Sequence, residues 1–271
     1  MFFLLKLRLI RYALLLSFIQ LLGACASGNH LVNIDQGFTP LAVGEIQKLQ
    51  DLVNTKRIGE RIAFWGEQFV GAPYDIDPLG EYVRSEKVVC DCRVDCMYLV
   101  FRAAELAQAN TPEGAMDRSL DLRFRTRGRI ECGRVTNYNE RFAYAEDMIA
   151  SGRWGRDITT ELGKAIDIQG TRGREKVTIL LKDELSKPGV YGNLKTGDLI
   201  FFVEDPAKRV ADEVIGHLGI IKVENGSLVL IHASGLKGSD ERSGGGVVKK
   251  VSLLEYFANM EFIGAKFTRF E

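Results

Sequence analysis

The stretch His217-Leu-Gly-Ile-Ile-Lys-Val-Glu-Asn-Gly-Ser-Leu-Val-Leu-Ile-His-Ala-Ser234 predicts an antiparallel β-hairpin. Two runs rich in β-branched and other apolar residues flank Asn225-Gly226, a dipeptide that favours a two-residue hairpin turn. With such a turn, Glu224 and Ser227 face each other directly, and this pair fixes the register of the two strands. The register can therefore be followed from the turn to the far ends of both strands.

This register brings together two of the three histidines of the chain. Gly219 is predicted to face His232, and His217 is predicted to face Ser234. Because residues two apart on a strand point to the same side of the sheet, His217 and His232 lie on one face, diagonal to each other. We therefore expect the two imidazole rings to come within side-chain reach.

The segment Asp95-Cys-Met-Tyr-Leu-Val-Phe-Arg-Ala-Ala-Glu-Leu106 predicts a buried helix, because it is apolar on most sides. Asp95 stands where an N-cap is expected, which places Cys96 at the start of the helix. A helix N-terminus stabilises a thiolate and can lower the pKa of a cysteine to roughly 3.5–7.5. Cys96 is therefore the candidate nucleophile of a cysteine hydrolase, with His217 as its base and His232 as the group that orients His217.

The composition is that of a globular protein. The 271 residues include 36 Lys and Arg against 36 Asp and Glu, and 46% are hydrophobic. This balance excludes a disordered chain, a collagen-like repeat and a strongly basic nucleic-acid-binding protein, so no nucleic-acid partner is expected. The length is sufficient for one large domain, or two small ones, with a sizeable core.

The rest of the chain predicts helices followed by an antiparallel sheet, which is the α+β fold class. Helices are predicted for 45–69 and 139–150, where apolar residues recur at helical spacing. A further short helix is predicted to begin at the capping box Ser252-Leu-Leu-Glu255. Additional strands are predicted for 198–203 and 262–270.

An arginine-rich segment alternates in the order Leu122-Arg-Phe-Arg-Thr-Arg-Gly-Arg129. This alternation predicts a strand within 117–134, because side chains two apart share a face of a strand. The residues on that shared face are Arg123, Arg125, Arg127 and Arg129.

The first 24 residues have the pattern of an export signal. Three basic residues precede an apolar run over 12–22, which is too short for a spanning helix. The run ends in Leu22-Gly-Ala-Cys25, which resembles the lipobox of bacterial lipoproteins and predicts lipidation of Cys25. We therefore expect a signal peptide over 1–24 and a lipid-anchored tether over 25–43, with the outer membrane, facing the periplasm, as the address.

We expect Cys25→Ser to remove the protein from the membrane fraction, because the substitution removes the thiol that would carry the lipid chains. The measurement is palmitate labelling combined with membrane fractionation. Cys132→Ser, at a cysteine outside the lipobox, is the matched control and should label like the wild type. Normal labelling of Cys25→Ser would show that the lipobox assignment is wrong.

Three cysteines, Cys90, Cys92 and Cys132, remain once Cys25 and Cys96 are assigned. Export brings the protein into a compartment that permits disulfides. We predict one disulfide between Cys132 and either Cys90 or Cys92, with Cys96 as a free thiol; the sequence does not decide between the two partners. A zinc site is the alternative, although the C-x-C-x3-C spacing is not a common zinc motif.

Five strings in this chain resemble the NlpC-type cell-wall amidases, which are papain-like bacterial cysteine peptidases. In chain order they are Gly71-Ala-Pro-Tyr74, Asp95-Cys96, Gly197-Asp-Leu-Ile-Phe-Phe202, Gly216-His-Leu-Gly-Ile-Ile221 and Ile231-His-Ala-Ser234. The resemblance extends from about residue 66 to the end of the chain.

The resemblance implies a papain-like fold in which the catalytic helix packs on an antiparallel sheet, within a single catalytic domain over 44–271. It implies Cys96, His217 and His232 as the catalytic residues, and it implies no metal and no other cofactor. The same strings imply further residues that contact the substrate: Tyr74, Asp95 and Ser234.

A long insert, roughly 109–195, separates the catalytic helix from the sheet. This insert narrows the resemblance to one branch of the NlpC-type amidases. Within it, Tyr138-Asn-Glu-Arg-Phe-Ala-Tyr144 resembles a string of the N-acetylmuramoyl-L-alanine amidase-like family. That family implies cleavage of the bond between N-acetylmuramic acid and L-Ala in peptidoglycan or its fragments. Arg141 lies in this string and is the first candidate for binding stem-peptide carboxylates. Met97 and Ala143 depart from the family pattern, in which Thr and His are usual.

Two other functions are compatible with the sequence. An endopeptidase that cuts within the stem peptide would use the same catalytic residues. A lipoprotein that only binds cell-wall fragments would need no catalysis, although the intact Cys96, His217 and His232 argue against it. The bond broken in a digest of defined muropeptides separates these alternatives.

Overall fold

The computed structural model describes residues 37–209, 212–235 and 245–271. The predicted signal peptide, the lipidation site at Cys25 and most of the tether over 25–43 lie outside these residues. Within the described part of the chain, no helix is long and apolar enough to cross a membrane. The lipid anchor therefore stays a prediction.

The helices and strands of the described residues have the following bounds. The α-helices are α1 (Val43–Val53), α2 (Ile58–Gln68), α3 (Glu81–Arg84), α4 (Cys96–Ala107), α5 (Pro112–Leu122), α6 (Ala145–Ala150), α7 (Thr159–Leu162), α8 (Lys182–Leu185), α9 (Pro188–Tyr191) and α10 (Leu253–Asn259). The strands are β1 (Ile130–Glu131), β2 (Arg134–Val135), β3 (Arg156–Asp157), β4 (Ile166–Gln169), β5 (Lys176–Leu181), β6 (Leu199–Val203), β7 (Ile215–Glu224), β8 (Ser227–Ser234), β9 (Val247–Ser252) and β10 (Gly264–Arg269).

One antiparallel sheet dominates the structure, with strand order β4-β5-β10-β6-β7-β8-β9 and with β3 paired to β10. The strands predicted over 198–203 and 262–270 are confirmed as β6 and β10. The predicted hairpin is confirmed as well, because Glu224 pairs with Ser227 across the turn. Asn225 and Gly226 both have positive φ, as the favoured two-residue hairpin turn requires.

Apolar side chains cover both faces of the sheet. On one face, Trp65 of α2 and Leu99 of α4 pack in a cluster with Ile220 of β7. On the other face, Leu230 of β8 packs in a second cluster with Phe257 of α10. Helices that pack on an antiparallel sheet confirm the predicted α+β class.

The helix predicted over 45–69 is two helices, α1 and α2, which are separated at 54–57. The strand predicted over 117–134 is wrong. The Thr111 hydroxyl accepts a hydrogen bond from the Gly114 N–H at 3.0 Å and caps α5, with Pro112 in its first turn. The buried residues of α5 recur at helical rather than strand spacing: Ala115, Ser119, Leu120 and Leu122.

The four arginines predicted on one strand face do not share a face. Arg123 is buried, whereas Arg125, Arg127 and Arg129 are exposed. Their alternation falls in the chain that follows α5, where each side chain finds its own partner. Arg123 pairs with the buried carboxylate of Glu105, and this pairing rather than strand geometry explains its place in the core.

The helix predicted over 139–150 is only partly right, because its α-helical part is α6 alone. A 3₁₀ turn occupies Tyr138–Glu140, and Arg141 is extended. The Phe142 N–H donates to the Arg123 carbonyl at 2.9 Å. Backbone pairing of this kind with the neighbouring chain replaces the helical hydrogen bonds that the sequence pattern predicted.

The predicted disulfide to Cys132 is absent, because Cys132 is a free and exposed thiol in the structure. Cys132 and Gly133 both have positive φ and form the turn of the β1–β2 hairpin, which places the thiol at the turn tip. Cys90, by contrast, is buried in the main apolar cluster. Cys96 is a free thiol, as predicted.

Candidate active site

The two histidines of the hairpin meet as predicted. His217 Nε2 lies 2.9 Å from His232 Nδ1, which is a hydrogen-bond distance, and the rings are nearly perpendicular at 84°. His217 is half-buried and His232 is fully buried. The hairpin register thus brings into contact two residues that are 15 positions apart in the sequence.

The strands β7 and β8 separate at the histidines. Their paired register ends at Ile220 and Ile231, while β7 continues beside β6 and β8 continues beside β9. The predicted pairing of His217 with Ser234 is therefore not part of the ladder, and Ser234 pairs with Val247 of β9 instead.

Gly219 lies beside His232, one position beyond the last registered pair of β7 and β8. A Cβ atom at Gly219 would lie 2.7 Å from Leu230 Cδ1, 2.8 Å from the Ile231 carbonyl oxygen and 3.2 Å from His232 Cβ. The absence of a side chain at Gly219 therefore allows β8 to bring His232 close to β7.

Aromatic rings surround the histidine pair. The ring of Phe262 is nearly parallel to that of His217, at 8° and 6.4 Å between centroids. Phe202 pairs with His217 across β6 and β7, and the centroids of their rings are 5.8 Å apart. The ring of Tyr256, on α10, lies 4.6 Å from that of His232. These contacts restrict the rotation of both imidazoles.

His232 is neutral at neutral pH. Burial lowers its pKa to about 4, and the positive charge of Lys249, its partner on β9, acts in the same direction. Its Nε2 atom is buried and has no hydrogen-bond partner among the described residues. A neutral His232 can accept a hydrogen bond at Nδ1 from His217 Nε2–H, which fixes the tautomer of His217.

Cys96 is the first residue of α4, as the sequence predicts. The Asp95 side chain accepts a hydrogen bond from the Tyr98 N–H at 2.6 Å and caps the helix. The backbone N–H of Leu218, next to His217, lies close enough to the Cys96 sulfur to lower its pKa. The start of the helix is therefore placed against β7, where β7 and β8 separate.

The expected lowering of the Cys96 pKa is wrong. Desolvation raises the pKa of the Cys96 thiol to about 12, and the Asp95 carboxylate raises it further. The N–H groups of Leu218, Cys96 and Met97 act in the opposite direction but have the smaller effect. A thiol with a pKa raised in this way would need a base at the moment of attack if Cys96 acts as the nucleophile.

Two tyrosines lie beside the Cys96 sulfur. Burial raises the pKa of Tyr74, and the charges of Cys96 and Asp95 raise it further. The Tyr74 ring also lies close to Gly235, the residue that follows Ser234. Tyr74 and Asp95 therefore lie near the Cys96 sulfur, and the substrate contacts expected of Tyr74, Asp95 and Ser234 stay a prediction.

Tyr256 is the second of these tyrosines, and sequence reasoning missed it. Burial and the charge of Cys96 raise the pKa of its hydroxyl. The Ser252 hydroxyl accepts a hydrogen bond from the Glu255 N–H at 3.4 Å and starts α10, so the predicted capping box signalled the helix. The side of α10 that faces the site follows only from the tertiary structure.

A buried ionic network holds the loop that leads into Cys96. Arg123 pairs with Glu105 through two contacts of 2.6 and 2.7 Å, and its third nitrogen donates to the Val88 carbonyl at 2.7 Å. Arg102, on α4, pairs with Asp91 at 2.9 Å. Val88 and Asp91 belong to the loop just before the helix, so the network fixes the approach to the nucleophile.

Arg141 lies in the insert, beside the helix start rather than at the histidines. Its Nη1 donates to the Tyr138 carbonyl at 3.2 Å. The charge of Asp95 raises the pKa of the Tyr82 hydroxyl, whereas the charge of Arg141 lowers it. Both charges therefore lie near that buried ring. The proposed role of Arg141 toward stem carboxylates stays a prediction.

We expect Asp95→Asn to increase the reactivity of the Cys96 thiol several-fold at pH 8. Asn can still cap the helix, but the negative charge that raises the pKa of Cys96 is removed. The measurement is the rate of iodoacetamide labelling of Cys96 at different pH values, followed by peptide mass spectrometry. Labelling of Cys132 in the same samples is the internal control.

Burial, followed by the charge of Asp75, raises the pKa of Asp95 to about 6. Below that pH the wild-type carboxyl is protonated, so the difference between Asp95→Asn and the wild type should shrink. An unchanged or slower labelling rate in the variant at pH 8 would contradict this account of the thiol.

The described residues contain no group of three or more His, Cys, Asp or Glu side chains arranged to hold a metal ion.

Solved structures share this fold, whereas no protein-family model and no curated protein sequence matches the chain. An N-acetylmuramoyl-L-alanine amidase from Bacteroides uniformis has a TM-score of 0.59 and 20% identity, over 78% of this chain and 98% of its own. A Legionella pneumophila protein of the DUF1460 family has a TM-score of 0.62 and 18% identity, over 83% of this chain and 93% of its own. A Bacteroides fragilis protein, provisionally described as a xylanase, has a TM-score of 0.56 and 19% identity, over 77% and 100%. At these identities the likeness concerns the fold alone: the chain has the mixed helix and antiparallel-sheet fold of these proteins.

Proposed function

We propose that this protein is a cysteine amidase that hydrolyses the bond between N-acetylmuramic acid and L-Ala in peptidoglycan or its fragments. The observation that carries the proposal is the hydrogen bond of 2.9 Å between His217 Nε2 and His232 Nδ1, beside a cysteine at a helix start. The fold shared with an N-acetylmuramoyl-L-alanine amidase supports the choice of substrate.

His232 sets the tautomer of His217 in this mechanism. Because His232 is neutral, its Nδ1 accepts a hydrogen bond from the Nε2–H of His217. The other ring nitrogen, Nδ1 of His217, is then unprotonated and can take the thiol proton of Cys96. A protonated His232 would lose this acceptor, so the mechanism needs the low pKa that burial gives it.

The reaction then proceeds in two steps. The Cys96 sulfur attacks the lactyl carbonyl of the sugar as His217 removes its proton. The tetrahedral intermediate expels the L-Ala amine, which takes the proton back from His217, and a thioester on Cys96 remains. Water, activated by the same imidazole, hydrolyses the thioester and restores the thiol.

Backbone N–H groups and Tyr74 support the developing oxyanion. The N–H group of Cys96 lies in the first turn of α4, where a helix presents donors that no helical carbonyl pairs, and it already acts on the Cys96 sulfur. Tyr74 lies beside the sulfur and brings a hydroxyl donor to the same region. Donors arranged before the reaction are worth more in a partly desolvated site than in water.

The lipid anchor is a separate part of the proposal. Lipid chains on Cys25 would hold the enzyme at the outer membrane, facing the periplasm, where the peptidoglycan substrate lies. The tether over 25–43 would then set the distance between the membrane and the catalytic part of the chain.

The experiment that tests the function is mass spectrometry of defined muropeptides after incubation with the full-length protein. The amidase reaction releases a free sugar lactate and an intact stem peptide that begins with L-Ala. If the sugar instead retained L-Ala, an endopeptidase with the same catalytic residues would replace the amidase. If no muropeptide were cleaved, the enzymatic proposal would fail.

We expect Gly219→Ala to lower kcat/KM by about 100-fold, because the new methyl group would clash with the Ile231 carbonyl and displace His232. Gly44→Ala is the matched control, since a Cβ at Gly44 meets no atom within 4 Å. Circular dichroism of both variants separates a displaced histidine from a loss of fold. Wild-type activity in Gly219→Ala would show that the approach of His232 does not matter.

A further inference from the structure

A second cleft, of about 500 Å³, lies in the insert and has a different lining from the histidine site. Its lining residues are Arg125, Tyr144, Asp147, Arg172, Gly173 and Arg174. Three guanidinium groups therefore face one cleft. The mechanism proposed above uses none of these residues.

The guanidinium of Arg172 is held at this cleft by an aromatic ring and a carboxylate. Its guanidinium lies 3.2 Å from the centroid of the Tyr144 ring, and its Nη2 is 3.2 Å from Glu146 Oε1. Its Nη1 is buried and has no hydrogen-bond partner among the described residues. This nitrogen is covered by protein atoms, so a ligand in the cleft would first meet the more exposed guanidinium groups of Arg125 and Arg174.

The cleft holds more donors than acceptors. Asp147 is the acceptor that its three arginines share: its Oδ1 contacts Arg174, and its Oδ2 lies 3.5 Å from Arg172 and 3.8 Å from Arg125. Each guanidinium carries five N–H groups, so one carboxylate cannot satisfy three of them. The remaining donors have the planar geometry that suits a second carboxylate.

Two further acids face Arg172 but do not fill this need. Glu146 is almost fully buried: its Oε1 accepts the Val214 N–H at 3.2 Å, and its Oε2 is buried with no hydrogen-bond partner among the described residues. Burial raises the pKa of Glu213, and the neighbouring Glu146 raises it further, which favours the uncharged form. Neither Glu146 nor Glu213 lines the cleft, where Asp147 is the one carboxylate among the lining residues for three guanidinium groups.

Glu146 and β7 connect the insert that forms the cleft to the histidine site. Glu146, next to Asp147, bonds to Val214, and β7 continues from there to His217, three residues or about 10 Å away along an extended strand. A peptide of three extended residues spans a similar length. A substrate held at Cys96 through its first amide could thus place a later carboxylate in the cleft.

We infer that the cleft formed by Arg125, Arg172 and Arg174 binds a carboxylate of the stem peptide and selects substrates in which that carboxylate is free. The inference rests on the proposed function for the identity of the peptide. It assigns the carboxylate to a cleft that sequence analysis did not identify, and Arg141 does not line this cleft.

The test compares two muropeptides that differ only in their stem carboxylates, which are free in one and converted to primary amides in the other. We expect the full-length wild type to show a kcat/KM about 10- to 100-fold higher for the free form. Arg125→Gln, at a side chain that is 63% exposed, should reduce this ratio toward one by lowering the rate on the free form alone. Arg174→Gln should act in the same way.

Arg134→Gln is the matched control, because Arg134 is an exposed arginine of the same insert that pairs with Glu86 at 3.2 Å. It should keep the wild-type ratio. Equal kcat/KM for both substrates in the wild type, or an equal loss in Arg134→Gln and Arg125→Gln, would overturn the inference.

A binding measurement separates this inference from the proposed function. If the wild type cleaves neither muropeptide, calorimetry with the free stem peptide decides the matter. Binding that Arg125→Gln weakens at least about 10-fold, and that the amidated peptide lacks, would support the cleft without the amidase. Absent binding, or equal binding of both peptides, would overturn the inference even if the enzyme cleaves muropeptides.

Discussion

Cys96→Ala is expected to abolish muropeptide cleavage, with a loss of about 10⁴-fold or more, because no other group can form the thioester. The fold should persist, since the change removes one sulfur atom from a partly exposed position. The measurement is product formation by mass spectrometry, with thermal unfolding as a check on the fold. Cys132→Ala, at the exposed thiol of the β1–β2 turn, is the matched control and should retain full activity.

Substitutions at the two histidines should lower the cleavage activity by different amounts. His217→Ala should lower the cleavage activity nearly as much as Cys96→Ala, because the thiol has a high pKa and needs the base. His232→Ala should cost less, about 10- to 100-fold, because His232 acts by positioning His217. His232→Gln should recover part of that loss, since its amide oxygen can accept the His217 N–H.

The double variant of both histidines tests whether they act as a unit. It should be scarcely slower than His217→Ala alone, because the effects of such residues are not additive. If Cys96→Ala kept full activity, every enzymatic role assigned to this site would fall. If the two histidine effects simply added, His232 would have a role that does not pass through His217.

Arg123→Met should give the largest loss of stability, about 3–5 kcal/mol in the free energy of unfolding. The substitution would leave the Glu105 carboxylate fully buried without its two closest contacts and would free the Val88 carbonyl. At roughly 2–4 °C per kcal/mol for a chain of this size, Tm should fall by on the order of 10 °C. Urea unfolding and a thermal melt measure both quantities.

Two further variants show whether the buried charge is the cause. Arg134→Met removes an arginine from an exposed pair and should change stability by less than about 0.5 kcal/mol. Adding Glu105→Leu to Arg123→Met should restore part of the loss, because no charge would then be left unpaired. A loss in Arg123→Met no greater than that in Arg134→Met would contradict the account of this network.

The histidine contact could be predicted because it depends on a local rule. A two-residue turn fixes which residues face each other, and the alternation of side chains then places His217 and His232 on one face. The same kind of local rule placed Cys96 at a helix start, through the capping side chain of Asp95. Neither result needed information about the rest of the molecule.

The arginines of 122–129 show where local rules fail. Their alternation matches a strand, but Arg123 is buried because Glu105, 18 residues earlier and already inside, needs a partner. Arg125 instead joins a cleft whose other arginines come from the β4–β5 turn. Such partners are distant in sequence, and no periodicity encodes them.

The pKa of the Cys96 thiol also depends on side chains that are distant in the sequence. The helix start alone predicted a lowered pKa for Cys96, whereas desolvation and the Asp95 carboxylate raise it to about 12. Desolvation is the sum of all atoms packed around the sulfur, including Tyr256 from a helix more than 150 residues further along the chain. A motif can point to a candidate nucleophile, but it does not give the dielectric environment around that side chain.

The sequence by itself determined the α+β class, the central hairpin, the contact between His217 and His232 and the position of Cys96 at a helix start. Each follows from backbone geometry over a few residues, where turn type, strand alternation and capping leave little choice. Only the tertiary structure decided the burial of Arg123, the solvent-facing position of Cys132, the place of Tyr256 and the cleft of three arginines. These depend on side chains brought together across long separations, where packing and desolvation outweigh local preference.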